Sequence, residues 1–276
     1  MPYSIEDLEK AFLKAVPFPP VLYKVVSAIK EKKVPLYKLG LEIAKDPVMS
    51  AQILSATNSS HYGVKQKVSD IPHAMSLLGF EEVSSIIFRL VSKSMCSGSK
   101  VALKSKLYSP QKNWLHTVKT AHLARLLVRQ HNLPYLQESY LAGLMHDIGK
   151  NAIAVCIKRE DEIKIFKEIY AQKSQAEAEK NILGFTHAQC GFQILKKMKI
   201  TLDILQAVLK HHDDMTPDYQ DMCFLLALAN VLSYFDEEKN YNELDEILTR
   251  RFGIVAAEIP NLAENYKELK LEIEAL

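Results

Sequence analysis

The sequence predicts an all-α fold, a multi-helix bundle, on three observations. Only 9 glycines and 11 prolines punctuate the 276 residues. Most intervals between these breaks place apolar residues at the 3.6-residue period of an amphipathic helix. The strict alternation of a half-buried strand is nearly absent. With 48% hydrophobic and 25% charged residues, the chain has ample material for a core. Its length suits one large domain or two smaller ones.

The helix signals run in order. Ser4 can cap a first helix, with acids in the turn that follows. "PPVLYKVVSAIKEKK" sets Pro20 in a first helical turn, where its missing N–H costs nothing. "DPVMSAQILSATN" repeats the device with Asp46 and Pro47. "SDIPHAMSLLG" offers Ser69 or Asp70 as cap, Pro72 in the first turn and Gly79 as a stop.

After Met95 the text loosens into "CSGSKVALKSKLYSPQKN", read as the main linker or bend between two halves. The densest basic stretch lies here, from Lys100 through Lys104 and Lys106 to Lys112. A solvated linker is the expectation for it, ahead of a phosphate contact. Helices then follow at 113–130, 136–146, 186–198, 201–211 and 220–235, with a charged stretch at 160–180. Within that stretch "AQKSQAEAEK" is a strong helix former that is polar all round, so a solvated helix or mobile segment suffices. The tail adds two to three helices. Its run "NLAENYKELKLEIEA" is amphipathic but too short for a coiled coil, and packing on the body is expected.

Net charge is +2, which implies no strongly charged partner. No nucleic-acid reading motif occurs. Cys96, Cys156, Cys190 and Cys223 form no CxxC pair and sit in helix-like text, as buried free thiols of a reducing compartment do. No secretory signal opens the chain, and no apolar run approaches the ~20 residues of a membrane span. A soluble cytoplasmic protein is expected.

The chemistry concentrates in histidines. "YLAGLMHDIGK" ends an apolar helix on His146–Asp147, with Lys150 four residues past His146. Burying such groups costs several kcal/mol unless they are paired or bound to metal. His211–His212, followed by Asp213 and Asp214, is a second doublet. Adjacent helical residues point about 100° apart, so a doublet can flank one ion only near a helix end or bend. Both doublets fall at such ends.

His116 lies in "NWLHTVKTAHLARLL", and His187 in "GFTHAQCG". Thr186 and Gln189 form a capping box that puts His187 at a first helical position. Gly191, one turn on, allows another backbone to approach. His122 is six residues from His116, on another face, and cannot serve the same ion. His61, His73 and His131 are given no chemistry. A lone histidine is more often a hydrogen-bonded structural residue. Imidazoles and a carboxylate gathered from several helices instead suit a divalent transition ion.

At these residues the chain resembles the HD-domain superfamily, whose metal-dependent phosphohydrolases carry a His…His-Asp…Asp pattern on helices. It is most similar to the HDOD branch. "VPFPPVLYKVV", "IAKDPVMSAQILSATNSSHYG" and "VSDIPHAMSLLGFEEV" resemble that family's N-terminal half. "WLHTVKTAHLARLL", "YLAGLMHDIGK", "LGFTHAQCGFQILKKMKI" and "AVLKHHDD" continue the match in order. The DPxxxxxxLxxxNSxxYG-like element is its most specific part. The resemblance implies an HDOD domain over residues 15–214, divided into an N-terminal helical half at 15–98 and an HD-like half at 99–214. Residues 215–276 would then pack on the HD-like half.

The resemblance also implies metal positions at His116, His146, Asp147, His187, His211 and His212. Lys150 matches a position near the metals of the related HD-GYP branch. There are two departures. Asn230, in "LLALANVLSYF", stands where active HD enzymes carry a closing Asp, and no Gly-Tyr-Pro follows the histidine doublet.

The expected function is a non-catalytic regulatory module of the HDOD type, acting in signal transduction through contacts with unidentified signalling proteins. Its His/Asp site would be degenerate. The alternative is a metal-dependent phosphohydrolase, with Asp147 and Lys150 in catalytic roles. No cofactor is fixed by the sequence; a divalent metal (Fe, Mn, Zn or Ni) is the candidate. A small phosphorylated ligand is compatible with the site, whereas a membrane or nucleic-acid partner is not expected. "SATNSSHYGVKQKVSDI" reads first as a capped turn and second as a partner contact.

Overall fold

The computed structural model describes residues 3–15, 20–31, 36–59, 62–64, 67–97, 105, 107–234 and 241–259. Among these, helices prevail and no strand occurs. α1 (Ile5–Ala15) comes first, followed along the expected N-terminal half by α2 (Pro20–Glu31), α3 (Leu36–Ile43), α4 (Pro47–Thr57) and α5 (Ile71–Ser97). Local chemistry starts them. Ser4 Oγ accepts from the Asp7 amide, Asp46 Oδ1 from the amides of Val48 and Met49, and Asp70 Oδ1 from that of His73. Gly79 takes φ 77° and ψ 172° and breaks α5 into two segments. The sequence marked it as a stop, and the chain uses it as a kink because the next segment is itself apolar and helical.

The second half holds α6 (Pro110–Gln130), α7 (Leu136–Met145), α8 (Ile148–Cys156), α9 (Arg159–Tyr170), α10 (Gln175–Leu183), α11 (His187–Lys197) and α12 (Leu202–Lys210). Beyond it come α13 (Met222–Leu232), α14 (Tyr241–Phe252) and a 3-10 turn at Ala256–Glu258. The charged stretch at 160–180 is thus two helices, divided where Gln172 turns to φ 65°. The short helix α8, absent from the sequence reading, restarts the chain at once after His146–Asp147. The run "NLAENYKELKLEIEA" and residues 98–104 and 106 of the basic linker lie outside the described residues.

One apolar cluster runs through both halves, from Phe12, Leu22 and Ile53 to Ile86, Tyr140, Ile153, Ile194 and Val208. Burying each such side chain contributes roughly 1.5–3 kcal/mol. A second cluster joins α6 to α13 and α14 through Leu127, Val128, Phe224, Leu228, Leu248 and Phe252. No helix of the described residues is long and apolar enough to cross a membrane.

Two glycines set the closest crossings. A Cβ on Gly143 would lie 2.3 Å from Ala121 Cα, so α7 can approach α6 only through glycine. A Cβ on Gly149 would lie 1.9 Å from the His187 carbonyl oxygen and 2.8 Å from the Gly191 amide, which holds α8 against the start of α11. The first crossing joins consecutive helices and the second joins helices distant in the text, and together they carry His116, Asp147 and His187 with them.

Candidate metal centre

Each predicted ligand sits where its helix places it. His146 ends α7, Asp147 precedes α8, His187 opens α11 and His211 ends α12. His116 lies inside α6. His146, Asp147, His187 and His211 are wholly buried, whereas His116 and His212 are partly exposed. Their donor atoms form two groups that share Asp147. One is His116, His146 and Asp147. The other is Asp147, His187, His211 and His212. Within each, the donor atoms lie within 4.8 Å of one another.

The carboxylate divides the groups by oxygen. Oδ2 lies 3.3 Å from His116 Nε2 and 3.4 Å from His146 Nε2, and accepts from Lys150 Nζ at 2.7 Å. Oδ1 lies 3.3 Å from His187 Nε2 and 3.6 Å from His211 Nε2. His116 Nε2 and His146 Nε2 are 3.0 Å apart, and His187 Nε2 and His212 Nε2 are 2.8 Å apart.

The outer ring nitrogens decide what the inner ones can do. His146 Nδ1 faces the Gly143 carbonyl at 2.7 Å, and His211 Nδ1 the Val208 carbonyl at 2.6 Å. A carbonyl only accepts, so both Nδ1 atoms carry the proton. His187 Nδ1 donates to Glu179 Oε2 at 2.6 Å. Ser233 Oγ donates to the Asn230 carbonyl and therefore accepts from His116 Nδ1 at 2.9 Å. A ring that carries its proton on Nδ1 alone turns its Nε2 lone pair inward. Facing lone pairs at 3.0 Å repel unless a cation lies between them, either a proton or a metal ion. The donor set therefore fits a divalent ion, and His211 Nε2 and Asp147 Oδ1 are buried without a hydrogen-bond partner.

Electrostatics agree. Burial pushes His211 down to about 3, and holds His116 and His212 well below their usual value, so these rings stay neutral and able to ligate. Burial works against the charge on Asp147, yet His146 and Lys150 hold its carboxyl well below the usual range. Burial also opposes the Lys150 charge, and Asp147 more than offsets it.

Glu179 is the residue the sequence reading missed. It lies in "AQKSQAEAEK", assigned there to solvent, but is wholly buried. Oε2 accepts from the His187 amide at 2.7 Å as well as from its ring. Oε1 accepts from Tyr108 Oη and Gln175 Nε2, each at 3.0 Å. Tyr108, read as linker, is buried to make that contact. A polar helix hides this role because the buried member is itself charged and leaves no apolar stripe to read. Ser233 and Tyr234 were also missed, and the Tyr234 ring stacks on His116 at 4.5 Å. His122 sits apart, against Arg125 and Tyr140. Asn230 is buried on α13, one turn before Ser233, and its Oδ1 has no hydrogen-bond partner.

Comparison with known proteins places this architecture. The profile of the HDOD domain matches residues 16–214. The chain superposes on an HDOD domain protein with unknown function from Geobacter sulfurreducens, with TM-score 0.72, 19% identity, and 97% and 94% of the two chains covered. A Shewanella amazonensis SB2B protein provisionally called a phosphohydrolase gives TM-score 0.69 at 18% identity, with 96% and 93% covered. A Marinobacter aquaeolei VT8 protein provisionally called a signal transduction protein gives 0.70 at 18%, with 95% of this chain and 58% of that one covered. An uncharacterized protein of Treponema pallidum (strain Nichols) is 20% identical over 249 residues, 86% of this chain. The match spans 45% of that protein, so the chain corresponds to less than half of it.

Proposed function

The chain belongs to the HDOD domain family, and on that premise we propose that it is a signal-transduction module built around a resident divalent-metal centre, with hydrolytic power lost. The supporting observation is the charge of the pocket. Among the described residues, Asp147 is the only carboxylate in the two donor groups, and Glu179 acts through His187. Asn230, at the position of the closing acid, offers a neutral amide oxygen that does not help hold cationic charge. Two dications need more anionic compensation than this set supplies.

The residues that offer donors to such an ion, in two groups, are His116, His146, Asp147, His187, His211 and His212. A bound divalent ion of this class acidifies a coordinated water and polarises phosphoryl oxygens. Gly143, Val208, Glu179 and Ser233 keep the imidazoles in the ligating tautomer. The wholly buried ring walls exclude water from all but the edge at His116 and His212. Signalling would then run through protein contacts, with the centre fixing the relative positions of α6, α7, α11 and α12. Metal-dependent phosphohydrolysis is the second reading. It is favoured by Lys150 beside the shared carboxylate, where a phosphate could exchange for Asp147 as its partner.

The test is metal content of protein purified without chelator, paired with hydrolysis of bis(p-nitrophenyl) phosphate. Bound metal without turnover is expected. Turnover abolished by His146→Ala or Asp147→Ala would establish the second reading instead.

A further inference from the structure

The two donor groups are not equivalent, and the difference lies in Lys150. Its amide is bonded to the Asp147 carbonyl at 2.9 Å, which sets the side chain one turn along the start of α8 and directs its ammonium onto Oδ2. That oxygen therefore already has a cation at 2.7 Å, with His116 and His146 beside it. The other oxygen has none. The buried donors of the cluster that lack a hydrogen-bond partner, Asp147 Oδ1 and His211 Nε2, both belong to the second group. A second carboxylate, the buried Glu179, stands behind His187 on that same side. Negative charge and the unsatisfied donors of the two groups thus converge on one side of Asp147, and an ammonium occupies the other.

We infer that Lys150 serves as a built-in cation in place of one metal, so that the cluster takes a single divalent ion, held by Asp147 Oδ1, His187, His211 and His212. This rests on the metal-centre reading above. A dication entering the His116–His146 side would meet the ammonium against the same oxygen, and like charges at such a separation in a buried site oppose each other strongly. A positive charge fixed by the fold also stabilises the shared carboxylate when no metal is present, and pairs it without help from solution.

The experiment is calorimetric titration of the chelator-stripped full chain with Mn2+, with electron paramagnetic resonance of the loaded protein. Wild type is expected to bind one ion and to give an uncoupled spectrum. Lys150→Met should bind a second ion at least tenfold more tightly than wild type does, and show spin coupling between the pair. Lys150→Arg, which keeps a cation, should stay at one. His187→Ala should remove the wild-type ion, whereas His116→Ala should keep it within threefold of the original affinity. This last comparison decides the matter even where Lys150→Met fails to fold. Two ions of similar affinity in wild type, or equal loss in His116→Ala and His187→Ala, would overturn the inference and leave the metal reading intact. Absence of Mn2+ binding in wild type and all variants would overturn both.

Discussion

Glu179 Oε2 lies 2.6 Å from the Nδ1 of His187 and 2.7 Å from the same residue's backbone nitrogen. One buried carboxylate oxygen thus fixes both the ring and the first turn of α11, where the helix dipole also favours negative charge. Burial opposes this charge, and His187 holds the carboxyl below its usual range all the same. Glu179→Gln keeps the shape and removes the charge. It should weaken metal binding by roughly 10–100-fold, the usual cost of losing such an outer partner. Competition with a chromophoric chelator measures this, and an unchanged affinity would show that Glu179 only packs.

Metal should stabilise the fold, because its ligands come from the start of α8, the start of α11 and the end of α12 and converge only when it is formed. At a free metal concentration 100 times Kd, mass action adds about 2.7 kcal/mol. For a chain of this size that raises Tm by roughly 5–10 °C. Thermal melts before and after chelation read the difference. Superimposable melts would mean that the centre is not loaded.

The metal-free protein should lose stability on acidification. Burial keeps His211 down to about 3 and depresses His116 and His212, whereas in the unfolded chain each titrates near ~6.5. Below that value the unfolded chain takes up protons that the folded one refuses, so unfolding becomes easier as pH falls. Asp147 and Glu179 act in the same direction. Their depressed carboxyls contribute stability above ~4 that disappears as pH drops through their folded values. Denaturant midpoints of stripped protein should decline from about pH 6.5 downward. A flat profile there would contradict the neutral buried rings.

Gly149→Ala should destabilise the fold by about 1–3 kcal/mol or more, since its Cβ would collide with the His187 carbonyl and the Gly191 amide, both backbone atoms. The same shift would pull Asp147 away from His187, so metal affinity should fall together with stability. Urea denaturation and metal titration of one preparation check both, and retention of either at the wild-type value would show that the crossing can relax.

Asn230→Asp returns a carboxylate to α13. If missing charge is what silences the centre, affinity for a divalent ion should rise by about tenfold, or ~1.4 kcal/mol. Slow hydrolysis of bis(p-nitrophenyl) phosphate should also appear. A variant that gains neither would locate the deficit elsewhere than Asn230.

The amino-acid sequence alone determined most of the helices and the candidate donors. Apolar residues at the helical period, the caps Asp46, Asp70 and Thr186, and the doublets at the ends of α7 and α12 are local facts, written within a few residues of one another. The family pattern, too, is a matter of spacing along the chain. What only the tertiary structure decided is which atoms face which: that Asp147 turns one oxygen to each histidine group, that Lys150 claims Oδ2, and that Glu179 leaves an all-polar helix to stand behind His187. These relations depend on helix crossings, set by Gly143 between consecutive helices and by Gly149 between segments far apart in the text. A buried charge, unlike a buried leucine, adds no period to the sequence. Its position is determined by the partner that compensates it, and that partner is brought near only by folding.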